Sequence, residues 1–137
     1  MFRIRNMPFM LKSVLSFVFI PFLFIFGLNK NSMCQSITLT TKGNTCVSYC
    51  RKCQYHYVWQ KSYVLTFSGS QFAYFLDEIK LKIGKEEFLS FPDDEERMFL
   101  PTPAAEILFT FTKEEWRDFT TALQEANYMR EVYQLIQ

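Results

Sequence analysis

The stretch YVLTFSGSQFAYFLDEI (Tyr63–Ile79) recurs further along the chain as ILFTFTKEEWRDFTTAL (Ile107–Leu123). Each copy holds a short apolar run, then a Ser or Thr with a Gln or Glu three positions later, then apolar residues at helical spacing. The middle element is a capping box, in which the hydroxyl and the Gln or Glu side chain accept from N–H groups at the start of a helix. Each copy therefore predicts a strand that turns sharply into a helix.

Apolar side chains mark one face of each predicted helix. A face with apolar residues at i, i+3, i+4 and i+7 is typical of a helix that packs against a core. The residues that form the two faces are Phe72, Phe75, Leu76, Ile79 and Ile83 in the first helix, and Trp116, Phe119, Leu123, Ala126 and Tyr133 in the second. Gly84 predicts the end of the first helix, and we predict that the second helix runs from Lys113 to near Leu135.

Turn signals before these helices predict three hairpins. The first lies in SITLTTKGNTCVSYC and turns at Gly43–Asn44, a dipeptide that accepts positive φ. The other two turn at residues 60–62 and 101–103. We therefore predict an α+β fold, with an antiparallel sheet of about six strands built from hairpins and the two helices packed on one face.

The first part of the chain, residues 1–32, differs in composition from the rest. It carries basic side chains, no Asp or Glu, and an uncharged run at residues 13–28. Three interpretations are open: translated AT-rich non-coding DNA upstream of a true start at Met33, a membrane anchor through residues 13–28, or a cleaved signal peptide. Residues 33–137 are predicted to form a single domain. We expect a cytoplasmic protein if translation starts at Met33, and otherwise a domain anchored outside the cytoplasm.

Charge and motif content limit the classes of function. The chain carries 15 basic and 14 acidic side chains, and four of the basic ones lie in residues 1–32, so residues 33–137 are mildly acidic. An acidic domain is a poor partner for nucleic acid, because phosphate binding needs a basic surface. The sequence contains no glycine-rich phosphate loop and no nucleophile elbow. It therefore predicts a non-enzymatic domain whose partner is another protein, with a membrane involved only if residues 1–32 are translated and retained.

The stretch CVSYCRKCQYH (Cys46–His56) holds three of the four cysteines of the chain and its only histidine. With Gly43–Asn44 as the turn of the first hairpin, the register of its two strands follows by counting outward. The predicted cross-strand pairs are Thr41–Cys46, Ile37–Cys50 and Cys34–Cys53. Because paired Cβ atoms lie about 5 Å apart, we expect the cysteines other than Cys46 to gather at the open end of the hairpin.

One interpretation of this gathering is a structural zinc site. The predicted ligands are Cys34, Cys50, Cys53 and His56, which would supply a tetrahedral Cys3His set. The alternatives that stay open are reduced cysteines on an ordinary strand and turn, a disulfide between Cys34 and Cys53 in an exported domain, and a redox-active pair. A redox CxxC of the thioredoxin type precedes a helix, whereas strand-like residues follow Cys53. Cys46 is most simply a small buried apolar side chain.

The order of these motifs resembles a small bacterial family of unknown function, known mainly from Bacteroidota. The motifs that carry the resemblance are Met-Cys, a strand, CxxC, a second strand, LTFS before an aromatic helix, LFTFTKEEW at a second helix, and the tail ANYMREVYQLI. The resemblance covers Met33–Gln137. Because members of the family tend to begin at a Met-Cys pair, it implies a start at Met33. Many members have a Phe-Gly-Asn-like turn where this chain has Trp59-Gln60-Lys61, and the family implies no activity.

Taken with the composition, these motifs predict a small binding or adaptor domain that contacts another protein, with or without a structural zinc ion at the end of the first hairpin. The first alternative is a membrane-anchored, exported domain with disulfides. The second alternative is a thiol redox enzyme that uses Cys50 and Cys53, with or without His56.

Overall fold

A computed structural model describes residues 35–102 and 104–136 of the chain. These two ranges contain seven strands and two helices. In chain order they are β1 (Ser36–Lys42), β2 (Thr45–Cys50), β3 (Tyr55–Trp59), β4 (Val64–Phe67), α1 (Gly69–Lys82), β5 (Leu89–Ser90), β6 (Glu96–Pro101), β7 (Leu108–Thr112) and α2 (Lys113–Ile136). The predictions made for residues 1–32 lie outside the described residues. Neither helix in the described ranges combines the length and the apolar character that crossing a membrane requires.

The strands form two antiparallel sheets. One sheet contains β1 to β4 in chain order, and the other contains β5, β6 and β7. Helix α1 and the loop after it separate β4 from β5 along the chain, and the later strands form a sheet of their own. The predicted α+β class is confirmed. The described strands number seven instead of about six, and they are divided between two sheets instead of forming one.

The predicted capping boxes begin both helices. At α1, the Ser68 hydroxyl accepts from the N–H of Gln71 at 3.3 Å, and the Gln71 side chain accepts from the N–H of Ser68 at 2.8 Å. At α2, Thr112 and Glu115 make the same two hydrogen bonds at 3.2 and 2.9 Å. The repeated sequence therefore folds into a repeated unit of strand, cap and helix.

Both helices end close to their predicted ends. Gly84 follows α1 with φ of 82°, a left-handed conformation that glycine adopts without strain. Ile83 lies beyond the last helical residue and is 37% exposed, so the buried face of α1 stops at Ile79. α2 ends at Ile136, next to the predicted end at Leu135.

One hydrophobic core joins the helices to both sheets. α1 packs against β3, β4 and α2, whereas α2 packs against β1, β2, β6 and β7. Phe119 of α2 is fully buried, and its ring centre lies 4.8 Å from that of Phe111 in β7 and 6.3 Å from that of Phe75 in α1. Tyr63, just before β4, stacks on Phe109 of β7 at 4.7 Å. The two sheets therefore share a core, although no strand pair joins them in the described chain.

The first hairpin turns where it is predicted to turn. Gly43–Asn44 forms the turn, with Gly43 at φ of 50°, and the predicted pair Thr41–Cys46 is present. Beyond this pair, a β-bulge at Leu39 inserts one extra residue into β1. Leu39 is only 7% exposed, so the bulge directs an apolar side chain into the interior.

The bulge moves every later pair of the hairpin by one position. The observed pairs beyond it are Thr38–Ser48, Ile37–Tyr49 and Ser36–Cys50. The predicted pair Ile37–Cys50 is therefore wrong, because counting outward from the turn assumes an uninterrupted ladder. The predicted pair Cys34–Cys53 stays a prediction, since Cys34 lies outside the described residues.

Candidate functional site

The hairpin of β2 and β3 brings together the two cysteines of the CxxC sequence. Cys50 ends β2 and is buried, whereas Cys53 is exposed in the loop that follows. The N–H of Cys53 donates to the sulfur of Cys50 at 3.4 Å, and the N–H of Gln54 donates to the C=O of Cys50 at 2.7 Å. No disulfide joins Cys46, Cys50 and Cys53 to one another. Strand β3 follows this loop, so the pair lacks the helix N-terminus of a thioredoxin-type site.

His56 points to the opposite face of the sheet from Cys50. Cys50 is paired with Tyr55, and successive side chains along a strand alternate between the two faces. His56 follows Tyr55 and stacks on Phe72 of α1, with ring centres 4.4 Å apart and planes at 5°. The histidine therefore lies on the side covered by the helices, and Cys50 lies on the other side.

The predicted zinc ligands are only partly brought together. Cys50 and Cys53 are neighbours, His56 lies across the sheet from Cys50, and Cys34 lies outside the described residues. In the described part of the chain, no three His, Cys, Asp or Glu side chains are grouped so that they could hold a metal ion. A zinc site that includes Cys34 stays a prediction, as does a disulfide between Cys34 and Cys53.

A cleft opens on the side of the sheet that His56 faces. Its volume is about 400 Å³, which is within the range of sites that bind small molecules. His56 and Tyr49 from the four-stranded sheet line it, together with Arg130 and Tyr133 from α2 and Gly69 at the start of α1. Elements that are distant in sequence therefore converge on one concave surface.

His56 lacks the hydrogen bonds that a buried histidine normally makes. It is only 2% exposed, and its ring lies 4.6 Å from that of Tyr49 and 4.4 Å from that of Phe72. Neither Nδ1 nor Nε2 has a hydrogen-bond partner within the described chain, although buried polar groups are almost always paired. Burial, and to a smaller extent the positive charge of Arg130, lowers the pKa of His56 to about 4. The ring is therefore neutral at pH 7, with one N–H donor and one nitrogen acceptor.

Arginine side chains make the cleft electropositive. The guanidinium carbon of Arg130 lies 5.7 Å from the ring centre of Phe72, and one of its terminal nitrogens donates to Asn127 at 2.9 Å. The Nε of Arg130 is buried and has no hydrogen-bond partner among the described residues. Arg51, in the loop before β3, lies 5.8 Å from the ring centre of Tyr133. Since none of the described residues that line the cleft is acidic, the cleft favours an anionic group.

The start of α1 adds backbone donors to the same surface. The capping box uses the N–H of Gln71, and the N–H of Phe72 bonds to the C=O of Ser68 at 2.9 Å. The N–H groups of Gly69 and Ser70 remain outside these bonds, at the positive end of the helix dipole. A Cβ atom placed on Gly69 would meet no atom within 4 Å, so this side of the helix start is open.

Two local irregularities shape the cleft. Leu39, the bulge residue, and Gln54, which has φ of 60°, both line it. A left-handed φ is uncommon outside glycine, and bulges and unusual backbone conformations are frequent beside functional sites. Both irregularities place side chains where a regular hairpin would not place them.

Sequence reasoning finds His56 but misses the rest of the cleft. His56 stands out as the only histidine of the chain, and the neighbouring CxxC assigns it to a metal site. Tyr133 is predicted only as part of the apolar face of the second helix, and Arg130 and Gly69 are not predicted as site residues. The three residues meet only when both helices pack on the sheet.

Comparisons of the chain with protein-family models, curated proteins and solved structures found no match. The resemblance to a Bacteroidota family therefore stays a prediction.

Proposed function

We propose that the protein is a non-enzymatic binding domain and that the cleft beside His56 receives part of a partner protein. One observation carries this proposal. A histidine that is 2% exposed lines a cleft of about 400 Å³, and neither of its ring nitrogens is paired within the described chain. A bound group that paired with the imidazole would remove the free-energy cost of leaving a buried polar group unsatisfied.

The surroundings of His56 favour binding over catalysis. A histidine that activates a nucleophile is hydrogen-bonded to it or held within reach of it. Among the described residues no hydroxyl, thiol or carboxylate bonds to His56, and its ring neighbours are Tyr49 and Phe72. Cys50 lies on the other face of the sheet, and Cys53, which is nearer in sequence, is exposed in the loop after β2.

The margin of the cleft favours a protein as the partner. Tyr133 and Gln134 line the cleft, and the next two residues of α2, Leu135 and Ile136, are 88% and 74% exposed. A partner segment could place one group in the cleft and bury these apolar side chains with its flanking residues. The cleft is electropositive inside and has apolar side chains at its margin. These properties are complementary to a partner segment in which an acidic group is flanked by apolar residues.

NMR spectroscopy of the full-length chain with isotope-labelled histidine tests this proposal, because a single imidazole reports on the cleft. We would titrate the protein with a panel of short peptides of mixed composition, with free or amidated ends. The proposal requires saturable shifts of the His56 imidazole signals and of the Tyr133 amide. The indole of Trp116, which donates to Glu86 at 3.0 Å, serves as a reference signal outside the cleft.

A pair of tyrosine variants on the same helix sharpens the test. Tyr133→Ala removes a ring that lines the cleft and should weaken peptide binding. Tyr128→Ala removes a ring that is 65% exposed and does not line the cleft, so binding should persist. The proposal is wrong if no peptide at millimolar concentration moves the His56 signals, or if both variants weaken binding equally.

A further inference from the structure

We infer that the group recognised in the cleft is a carboxylate, namely the C-terminal carboxylate of the partner chain, held between Arg130, His56 and the start of α1. This inference rests on the proposed function and narrows it to one ligand chemistry. It assigns a role to polar groups that the fold itself leaves unsatisfied.

Arg130 supplies the charge that selects an anion. Its Nε is buried without a hydrogen-bond partner in the described chain, and one terminal nitrogen already bonds to Asn127. A guanidinium presents its N–H donors in a planar fork that matches the two oxygens of a carboxylate. The guanidinium carbon lies over the ring of Phe72, 5.7 Å from its centre, and this cation–π contact favours keeping the side chain at the cleft.

His56 and Gly69 supply neutral donors beside that charge. The imidazole is uncharged at pH 7, and the helix start contributes only the partial charge of its dipole. Arg130 is the charged side chain among the described residues that line the cleft, and Arg51 lies outside this lining, 5.8 Å from the ring centre of Tyr133. This balance suits a monovalent carboxylate better than a phosphate dianion.

The remaining walls suit the residue that carries the carboxylate. The rings of Tyr49 and Tyr133 and the side chain of Leu39 line the cleft next to the polar groups. An apolar terminal side chain can pack against these walls while its carboxylate meets Arg130. A chain end also enters a concave site from one side, whereas an internal acidic residue brings chain on both sides.

Matched small probes test the inference on the full-length chain. N-acetylphenylalanine has the free carboxylate, and its amide differs from it only in that group. The amide of N-acetylaspartate carries a side-chain carboxylate without a chain end, and benzoate is a free carboxylate without a peptide. Each probe is titrated while the His56 imidazole signals and the Gly69 amide are followed by NMR.

We expect N-acetylphenylalanine to bind at least about tenfold more tightly than its amide, because hydrogen bonds to a charged group are the stronger ones. The aspartate amide and benzoate should both bind more weakly than N-acetylphenylalanine. Arg130→Gln should abolish the preference for the acid. Arg117→Gln makes the same charge change on the same helix at an exposed site and should leave the preference intact.

The possible failures are distinguishable. Equal binding of the acid and its amide would overturn the carboxylate and leave the proposed binding function standing. Benzoate or the aspartate amide binding as tightly as N-acetylphenylalanine would overturn the chain end as the source. A preference that survives Arg130→Gln would overturn the role of that arginine. If the peptide panel shifts the His56 signals but no carboxylate probe shifts them, the carboxylate inference fails and the proposed function stands. If neither the peptides nor the probes shift the His56 signals, both the inference and the proposed function fail.

Discussion

Lowering the pH should destabilise the fold through one side chain, His56. Its pKa is about 4 in the folded state and about 6.5 in an unfolded chain. Because the folded pKa is the lower one, the unfolded chain binds more protons between these two values, and the free energy of unfolding decreases as the pH falls through them. The groups that face the ring cannot offset this loss, since Tyr49 and Phe72 are uncharged and Arg130 is positive throughout the range.

The magnitude follows from the difference between the two pKa values. His56 is 2% exposed, so solvent screening of the protonated ring is weak in the folded state. At about 1.4 kcal/mol per pKa unit, the full loss of stability is about 3 kcal/mol below pH 4, and about 2 kcal/mol of it is reached at pH 5. Above about pH 6.5 the ring is neutral in both states and contributes no pH dependence.

The assay is urea unfolding near pH 7.5 and near pH 5, compared between the native chain and His56→Phe. The phenylalanine ring keeps a stacking partner between Tyr49 and Phe72 but cannot be protonated. The chain has no second histidine, and the carboxyl groups with lowered pKa values, Glu86, Asp93 and Glu125, are present in both proteins, so their contribution cancels in the comparison. The native chain should lose about 2 kcal/mol on acidification, and the variant should lose much less.

Two results would refute this reasoning. Equal losses of stability in the native chain and in His56→Phe would show that the imidazole does not drive the effect. An NMR titration that gives His56 its ordinary pKa in the folded protein would show that the ring is not desolvated as the geometry requires.

Four further substitutions test the fold itself by urea unfolding and circular dichroism. Phe119→Ala should cost about 3–5 kcal/mol, because the ring is fully buried between both helices and the smaller sheet; a cost below about 1 kcal/mol would contradict that core. Gly43→Ala should cost about 1–2 kcal/mol for the left-handed φ of 50°, and its Cβ would also force the end of the Asp118 side chain to shift. Gly84→Ala, at φ of 82° with open space around it, should cost less than Gly43→Ala, and the reverse order would argue against that shift. Thr112→Ala removes the capping box of α2 and should cost about 1 kcal/mol, with no measurable loss if that cap is absent in solution.

The features that depend on a few consecutive residues were predictable from the sequence. The boxes at Ser68 and Thr112 specify their own hydrogen bonds within four residues, so the starts of both helices follow from local chemistry. The turn at Gly43–Asn44 and the stop at Gly84 follow from the tolerance of glycine for positive φ. None of these features needs knowledge of what packs against them.

The features that depend on packing were not predictable in the same way. The bulge at Leu39 shifts the register of the first hairpin, and nothing in the sequence of β1 marks it, since a regular strand accepts the same residues. The division of the strands between two sheets depends on how the chain returns after α1, which local spacing does not specify. A register counted from a turn holds only as far as the first irregularity.

The candidate site also contains one residue that the sequence singles out and others that only packing brings together. The sequence singles out His56 by residue type, but the face that the ring occupies depends on strand alternation beyond Cys50. Tyr55 is the pairing partner of Cys50, so the side chain of the next residue, His56, points to the opposite face. Predicting this orientation requires the length of the loop between β2 and β3, which sets the pairing. Arg130 reaches the same cleft because of the way α2 is rotated about its axis. No short motif in the sequence specifies that rotation.

Helix α2 packs against strands of both sheets, β1 and β2 of the larger sheet and β6 and β7 of the smaller one. A fluctuation that lifts this helix uncovers both sheets at the same moment, so neither can open alone without breaking contacts that the other needs. Amide hydrogens in the two sheets should therefore exchange with solvent through a common opening event. A chain whose halves repeat the same unit of strand, cap and helix should thus unfold as one cooperative structure and not as two independent halves.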